Sequence, residues 1–147
     1  MLNKHRGFSL LELVTVLVLV GILGATVIVG ALPSTSFQIQ ASRDQVVTAF
    51  FSAQQRAMVQ TSPVRLSLSA PNQIDVREDS DGDGSFADES SLRLGGVQYP
   101  IALLPNQTLT AATFDFDRLG RTSASALTLS QSGNSVAITV GATGHIN

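Results

Sequence analysis

The sequence predicts an α+β fold: a long N-terminal helix, membrane-spanning in its first half, packed on an antiparallel β-sheet or sandwich. Three observations predict it. Leu13 to Leu32 is a run of 20 residues without a charge. Phe37 to Thr61 then carries apolar residues at helical spacing, and beyond Pro63 the apolar period drops to two, the spacing of half-buried strands. The resulting organisation is a basic head, a first helix that runs to residue 32, an amphipathic helix over 33–63 and a β-rich domain over 64–147; the boundary between a head over 1–7 and a helix over 8–32 is what the resemblance given below implies.

Composition narrows the function classes. A chain of 147 residues with 44% hydrophobic content suits one core-bearing domain plus an appendage. The absence of cysteine excludes disulfide staples, thiol catalysis and cysteine metal sites. The net charge of -2 is unevenly spread: Lys4 and Arg6 stand at the start, whereas seven of the eleven acids lie between Asp75 and Glu89. No basic patch can follow a nucleic-acid backbone, and after Arg121 the last 26 residues carry no charge apart from a protonated His145. Nucleic acid is therefore not an expected partner.

Between Arg6 and Arg43 the only charged residue is Glu12. At about 1.5 Å per residue the run from Leu13 to Leu32 is roughly 30 Å of helix, the thickness of a bilayer core. Lys4 and Arg6 keep the N-terminus cytoplasmic, which in a bacterium gives a single-pass inner-membrane chain with a periplasmic C-terminal domain. A secretory signal peptide cut near Val29-Gly30-Ala31 would have a shorter, uninterrupted apolar stretch. A plain signal anchor leaves Glu12 without purpose, although a carboxylate near the bilayer centre costs about 2.5–3.5 kcal/mol.

The stretch "GFSLLELV", residues 7–14, resembles the cleavage and methylation motif of type IV prepilins and type II secretion pseudopilins. The resemblance implies that Met1 to Gly7 is a leader, that prepilin peptidase cuts between Gly7 and Phe8, and that the new Phe8 amine is N-methylated. Glu12 would then lie one helical turn along, on the same face, near the helix N-terminus where the macrodipole favours a negative charge. In the family this carboxylate meets the Phe8-type amine of a neighbouring subunit during assembly. The implied partners are other pilins or pseudopilins through the N-terminal helix, prepilin peptidase and the inner-membrane assembly platform; the implied destination is a filament. Val29 stands where the family commonly has proline, so a kink is expected near Pro33 or at Gly21, Gly24 or Gly30.

In the second helix, Ile39, Val46, Phe50, Ala53 and Ala57 form an apolar stripe that packs on the soluble domain, and Ser62-Pro63 is the stop signal. Alternation then marks strands at Val64/Leu66/Leu68, Ile74/Val76, Leu92/Leu94, Phe114/Phe116, Leu127/Leu129 and Val136/Ile138/Val140. Pro71-Asn72, Asp81-Gly82-Asp83-Gly84, Gly95-Gly96, Gly120 and Ser132-Gly133-Asn134 mark turns. Asn106-Gln107-Thr108 fits a glycosylation pattern and reads as a loop after Pro105. A β-meander packed on the helix is expected. "VREDSDGDGSFADESSLRLGG", "FDFDRLGRTSAS", "LTLSQSGNSVAITV" and "GATGHIN" resemble, in that order, the C-terminal domain of the type II secretion pseudopilin H and FimT family. Within it, the resemblance is closest to minor pilins of mannose-sensitive haemagglutinin (MSHA) type pili.

Residues 79–90, "DSDGDGSFADES", are similar to the opening of a calcium loop, with Asp79, Asp81, Asp83, the Ser85 carbonyl and a shifted Asp88 or Glu89 as candidate Ca2+ ligands. Ser90 stands where the bidentate carboxylate belongs; the alternative is an Asp/Gly turn whose side chains cap backbone amides. No other cofactor is expected. His5 and His145 are the only histidines, no nucleophile or phosphate-loop motif occurs, and Asp115 and Asp117 alternate with Phe114 and Phe116 onto an outer strand face. The chain reads as a non-enzyme. The expectation is a structural minor pilin or pseudopilin that enters or primes a type IV pilus of MSHA type; the alternative is a type II secretion pseudopilin. From another class come a DNA-uptake or an adhesin-type module, for which Phe86 is either an exposed contact or the anchor of its own loop.

Overall fold

The first helix of the computed structural model, α1, spans Leu10–Gly30 without a break. Residues 9–30 and 35–147 are described, with side chains in α1 described as far as Leu23. The chain divides into two units, Met1–Ser34 and Thr35–Asn147. Neither Gly21 nor Gly24 interrupts α1; Pro33 lies outside the described residues. The large apolar side chains from Leu10 to Leu23 are 47–81% exposed and point in every direction around the helix, the pattern of a helix that needs an apolar environment on all sides. Among the described residues no helix is long and apolar enough to cross a membrane. The described α1 side chains cover only about 20 Å of rise, so the span expected over 13–32 extends past them.

In the second unit, α2 spans Thr35–Val59, and the expected stripe is its buried face: Ile39, Val46, Phe50, Ala53 and Ala57, joined by Ser42 and Ala49. The strands are β1 Val64–Ser69, β2 Gln73–Glu78, β3 Arg93–Leu94, β4 Val97–Gln98, β5 Ile101–Ala102, β6 Gln107–Leu109, β7 Ala112–Phe116, β8 Ser125–Gln131 and β9 Asn134–Val140. They form antiparallel sheets ordered β5-β2-β1-β7, β3-β4 and β6-β8-β9.

This is not a meander. The late strand β7 returns beside β1, with Val64 opposite Phe116 and Leu66 opposite Phe114. That register places both phenylalanines on the face that meets α2, where Phe50 packs edge-on against Phe114 at 5.5 Å and Phe116 at 4.8 Å between ring centroids. The strand expected at Leu92/Leu94 shrinks to two residues, because Gly95 and Gly96, both at positive φ, turn the chain at once. Gln107-Thr108 is not a loop but the start of β6, and Gln107 is fully buried. Its amide donates to Gln131 Oε1 at 2.9 Å, and Gln131 donates in turn to Gln38 Oε1 on α2 at 2.7 Å. A chain of amides thus ties the β6-β8-β9 sheet to the start of α2 without leaving those groups unpaired.

The core runs from the α2 stripe through Leu66, Ile74, Val76 and Phe114 to Leu127, Leu129 and Ile138. Glu78 ends β2 at the edge of this core, where Arg56 of α2 donates to its Oε2 at 2.8 Å. The opposite face of β1 and β2, carrying Arg65, Ser67, Asp75 and Arg77, faces outward, and the acidic segment 79–90 returns over it.

Candidate functional site

Gly7 and Phe8, the expected cleavage and methylation residues, lie outside the described residues. Glu12 sits in the first turn of α1, exposed. The Ser9 carbonyl accepts from the amides of Glu12 at 3.0 Å and Leu13 at 3.2 Å, which starts the helix. Ser9 and Glu12 have the S-x-x-E spacing of a capping box, a local signal that the reading of Glu12 as an assembly group passed over. Thr15 donates back to the carbonyls of Leu11 and Glu12. The spacing gives Glu12 a candidate role at the helix start beside the one expected of it between subunits.

The acidic segment closes on itself. Asp79, buried at 3% exposure, accepts from the amides of Gly82 at 2.7 Å and Gly84 at 3.1 Å, one through each carboxylate oxygen. Asp81 accepts from the Asp83 amide and Asp83 from the Ser85 amide. Glu89 reaches back to the amide and hydroxyl of Ser80 at 2.7 and 2.8 Å. Gly82 and Gly84 adopt positive φ, which these turns require.

Of the calcium-ligand candidates, Asp79, Asp81 and Glu89 bring carboxylate oxygens within 4.8 Å of one another, whereas Asp83 falls instead with Asp81 and Asp88. Ser85 contributes its amide as a donor to Asp83. Among the described residues, those two groups of carboxylates are the ones placed closely enough to hold a cation. The hydrogen bond from the Asp83 amide lowers the Asp81 carboxyl, but desolvation and the neighbouring charges of Asp83, Asp88 and Glu89 together raise it above its ordinary value.

The far end of the segment docks on the outer face of β1 and β2. Phe86 is buried at 8% exposure, and Arg77 donates to the carbonyls of Phe86 at 2.8 Å and Ala87 at 3.2 Å. Phe86 is thus an anchor, and the exposed aromatic contact imagined for an adhesin is not there. Asp115 is on the outer face, paired in bidentate fashion with Arg65 at 2.6 and 2.8 Å; that bond raises the Arg65 guanidinium above its ordinary value. Asp117 lies one residue past β7 and caps the Leu119 and Arg121 amides instead, so the two aspartates do not form an acid/base pair.

Residues 2–28 match the family described as Prokaryotic N-terminal methylation motif. Neither a curated protein nor a solved structure matches the chain. The match is a type IV pilin-like signal and supports a pilin or pseudopilin that prepilin peptidase processes and that assembles with other pilins.

Proposed function

We propose that the chain is a non-enzymatic minor pilin, cut between Gly7 and Phe8, N-methylated on Phe8, held in the inner membrane by its first helix and then built into a type IV pilus of MSHA type. The observation that carries this reading is the methylation-motif match over residues 2–28, and Glu12 stands within it on the first turn of an all-round apolar helix. An isolated helix of that kind is stable only in lipid or against other apolar helices, which is the environment that filament packing supplies. An ion pair from Glu12 to a neighbour's Phe8 amine would select register where apolar packing alone does not.

A nucleic-acid role has little support. Five of the arginines beyond α1, Arg43, Arg56, Arg65, Arg77 and Arg121, pair with carboxylates of the chain itself, and phosphate binding needs free cations.

Intact mass and N-terminal sequencing of the protein from its own membranes test the proposal. A chain beginning at Phe8 with one added methyl group is the expected result; a chain beginning at Met1 or near Leu32 would overturn it. Recovery of the processed chain in sheared surface filaments is expected, and its confinement to the cell envelope would assign it to a type II secretion apparatus instead.

A further inference from the structure

Between α2 and the segment Val97–Ala102 lies an open groove of about 440 Å³, walled by Ala41 on the helix and by Val97, Tyr99, Ile101 and Ala102 across from it. Two polar groups in this apolar setting are poorly partnered. Tyr99 is only 3% exposed, yet its hydroxyl makes no hydrogen bond among the described residues, where a buried tyrosine normally finds a partner. Asp44 stands at the rim, and its carboxylate meets only its neighbour Arg43, at 3.7 Å. The groove therefore suits an apolar side chain that brings a cation and a hydrogen-bond acceptor with it.

The same domain presents that combination on another surface. The turn after β7 holds Leu119 out at 69% exposure. Beside it, Arg118 uses only Nε, on the Thr61 carbonyl at 3.2 Å, and pairs with no carboxylate among the described residues. The carbonyls of Asp117 and Gly120 are taken by the Gly120 amide and by Gln54, whereas those of Arg118 and Leu119 accept no hydrogen bond among the described residues. This turn cannot reach the groove of its own chain. Gln54 fastens the Gly120 carbonyl to α2 at 2.8 Å, ten residues past Asp44 and thus about 15 Å farther along the helix axis. Knob and groove are unlike surfaces offset along α2, so a contact between them is heterologous and runs head to tail instead of closing a two-fold pair.

We propose that Leu119 of one copy seats in the α2 groove of a second copy, with Arg118 facing Asp44 and the Tyr99 hydroxyl donating to a free carbonyl of the turn. A small apolar ligand would fill the groove but leave Asp44 and Tyr99 without partners, whereas the turn answers both. The inference rests on the assembly reading for its setting, a membrane or filament in which copies lie side by side, and deepens it by naming the two surfaces that meet.

The chain has no cysteine, so introduced cysteines report the contact directly. Val97→Cys and Leu119→Cys, which keep both exposed positions small and apolar, are produced together as full chains in the host's own membranes, on copies with different C-terminal tags, and oxidised with copper phenanthroline. The expected result is a disulfide between the two tagged copies, with little product from either variant alone, because a head-to-tail contact does not bring like positions together. Asp44→Arg on the Val97→Cys copy should cut the mixed product about tenfold, since like charges then face each other, and Arg118→Asp on the Leu119→Cys copy should restore it. The proposal is overturned by absence of the mixed product while both cysteines react with a soluble maleimide, or by capture of a different protein in place of the second copy. It is also overturned by equal product when Asn134→Cys, on the β8–β9 turn, replaces Leu119→Cys, or by a yield that charge reversal leaves unchanged. Intact mass of the same preparation separates the two readings. A chain that begins at Met1 and still cross-links would overturn pilin processing and leave the contact standing, and a chain that begins at Phe8 without the mixed product would overturn the contact alone.

Discussion

Arg65 lies across the ring of Phe86, its guanidinium carbon 4.1 Å from the ring centroid. The contact closes a sandwich: the strand residue Arg65 is held by Asp115 of β7, and the ring it supports belongs to a segment that begins at Asp79. The outer face of the sheet is therefore what orders the acidic loop. A cation over a ring contributes about 0.5–2 kcal/mol, and burial of the ring adds more.

Phe86→Ala should lower stability by about 3 kcal/mol, the low end for a buried aromatic truncation. Amide exchange over 79–90 should rise more than exchange in β8 and β9, because the loop loses its only aromatic attachment. Exchange mass spectrometry at peptide resolution checks this; uniform loosening of the whole domain would mean that Phe86 belongs to the core rather than to the loop.

The two ends of the acidic turn should respond in opposite directions. Asp79→Ala leaves the Gly82 and Gly84 amides without their acceptor and should cost about 3 kcal/mol, the range for hydrogen bonds to a charged group. Asp81 has a raised carboxyl, so its folded form favours the proton; its stability contribution is present below the unfolded value and lost as pH rises through the folded one. Asp81→Asn should therefore raise the melting temperature at neutral pH, with the gain vanishing below about pH 4. Chelation of divalent cations should leave the wild-type melting temperature unchanged. A calcium-dependent rise that Asp79→Asn abolishes would make the loop a metal site instead.

Gln54 on α2 donates to the carbonyl of Gly120 at 2.8 Å and of Gly144 at 3.2 Å. Gly144 has positive φ, and a Cβ there would collide with the Gly120 carbonyl oxygen and the Gln54 amide. Gly144→Ala should thus destabilise more than Gly133→Ala. Gly133 also has positive φ but open space around it, so that change carries only the backbone cost of about 1–2 kcal/mol. Chemical denaturation of the two variants tests the ordering.

Asp117 is held below its ordinary value first by the Arg121 amide and then, against some desolvation, by the Arg121 guanidinium and the Leu119 amide. A depressed acid contributes stability above its unfolded value, near pH 3.9, and loses it as pH falls through the folded one. Wild type and Asp117→Asn should accordingly differ in stability at pH 7 and converge in strongly acidic buffer. A gap that stays constant across that range would assign the effect to packing rather than to charge.

Glu12→Gln separates the two uses of Glu12. Glutamine preserves the capping-box spacing with Ser9 and removes the charge, whereas Glu12→Val removes both. If the charge pairs with a neighbour's amine, both variants should be inserted and processed normally and both should assemble poorly. Normal filament incorporation of Glu12→Gln alone would assign Glu12 to helix capping.

The sequence by itself determined which residues face the core. Helical spacing from Ile39 to Ala57 and period two from Val64 to Val140 are local properties, and burial follows them almost residue by residue. It also carried the methylation motif, which is contiguous. Short strands such as β4, β5 and β6 were illegible because two or three residues hold no period. Only the tertiary structure decided that β7 lies beside β1, that Phe86 seals the outer face, that Asp44 of α2 shares a groove with Val97 and Tyr99, and that Gln54 bridges Gly120 and Gly144. These are contacts between residues far apart in sequence. Alternation says which side of a strand is buried, but not which strand lies next to it; that choice depends on the mutual packing of Phe50, Phe114 and Phe116.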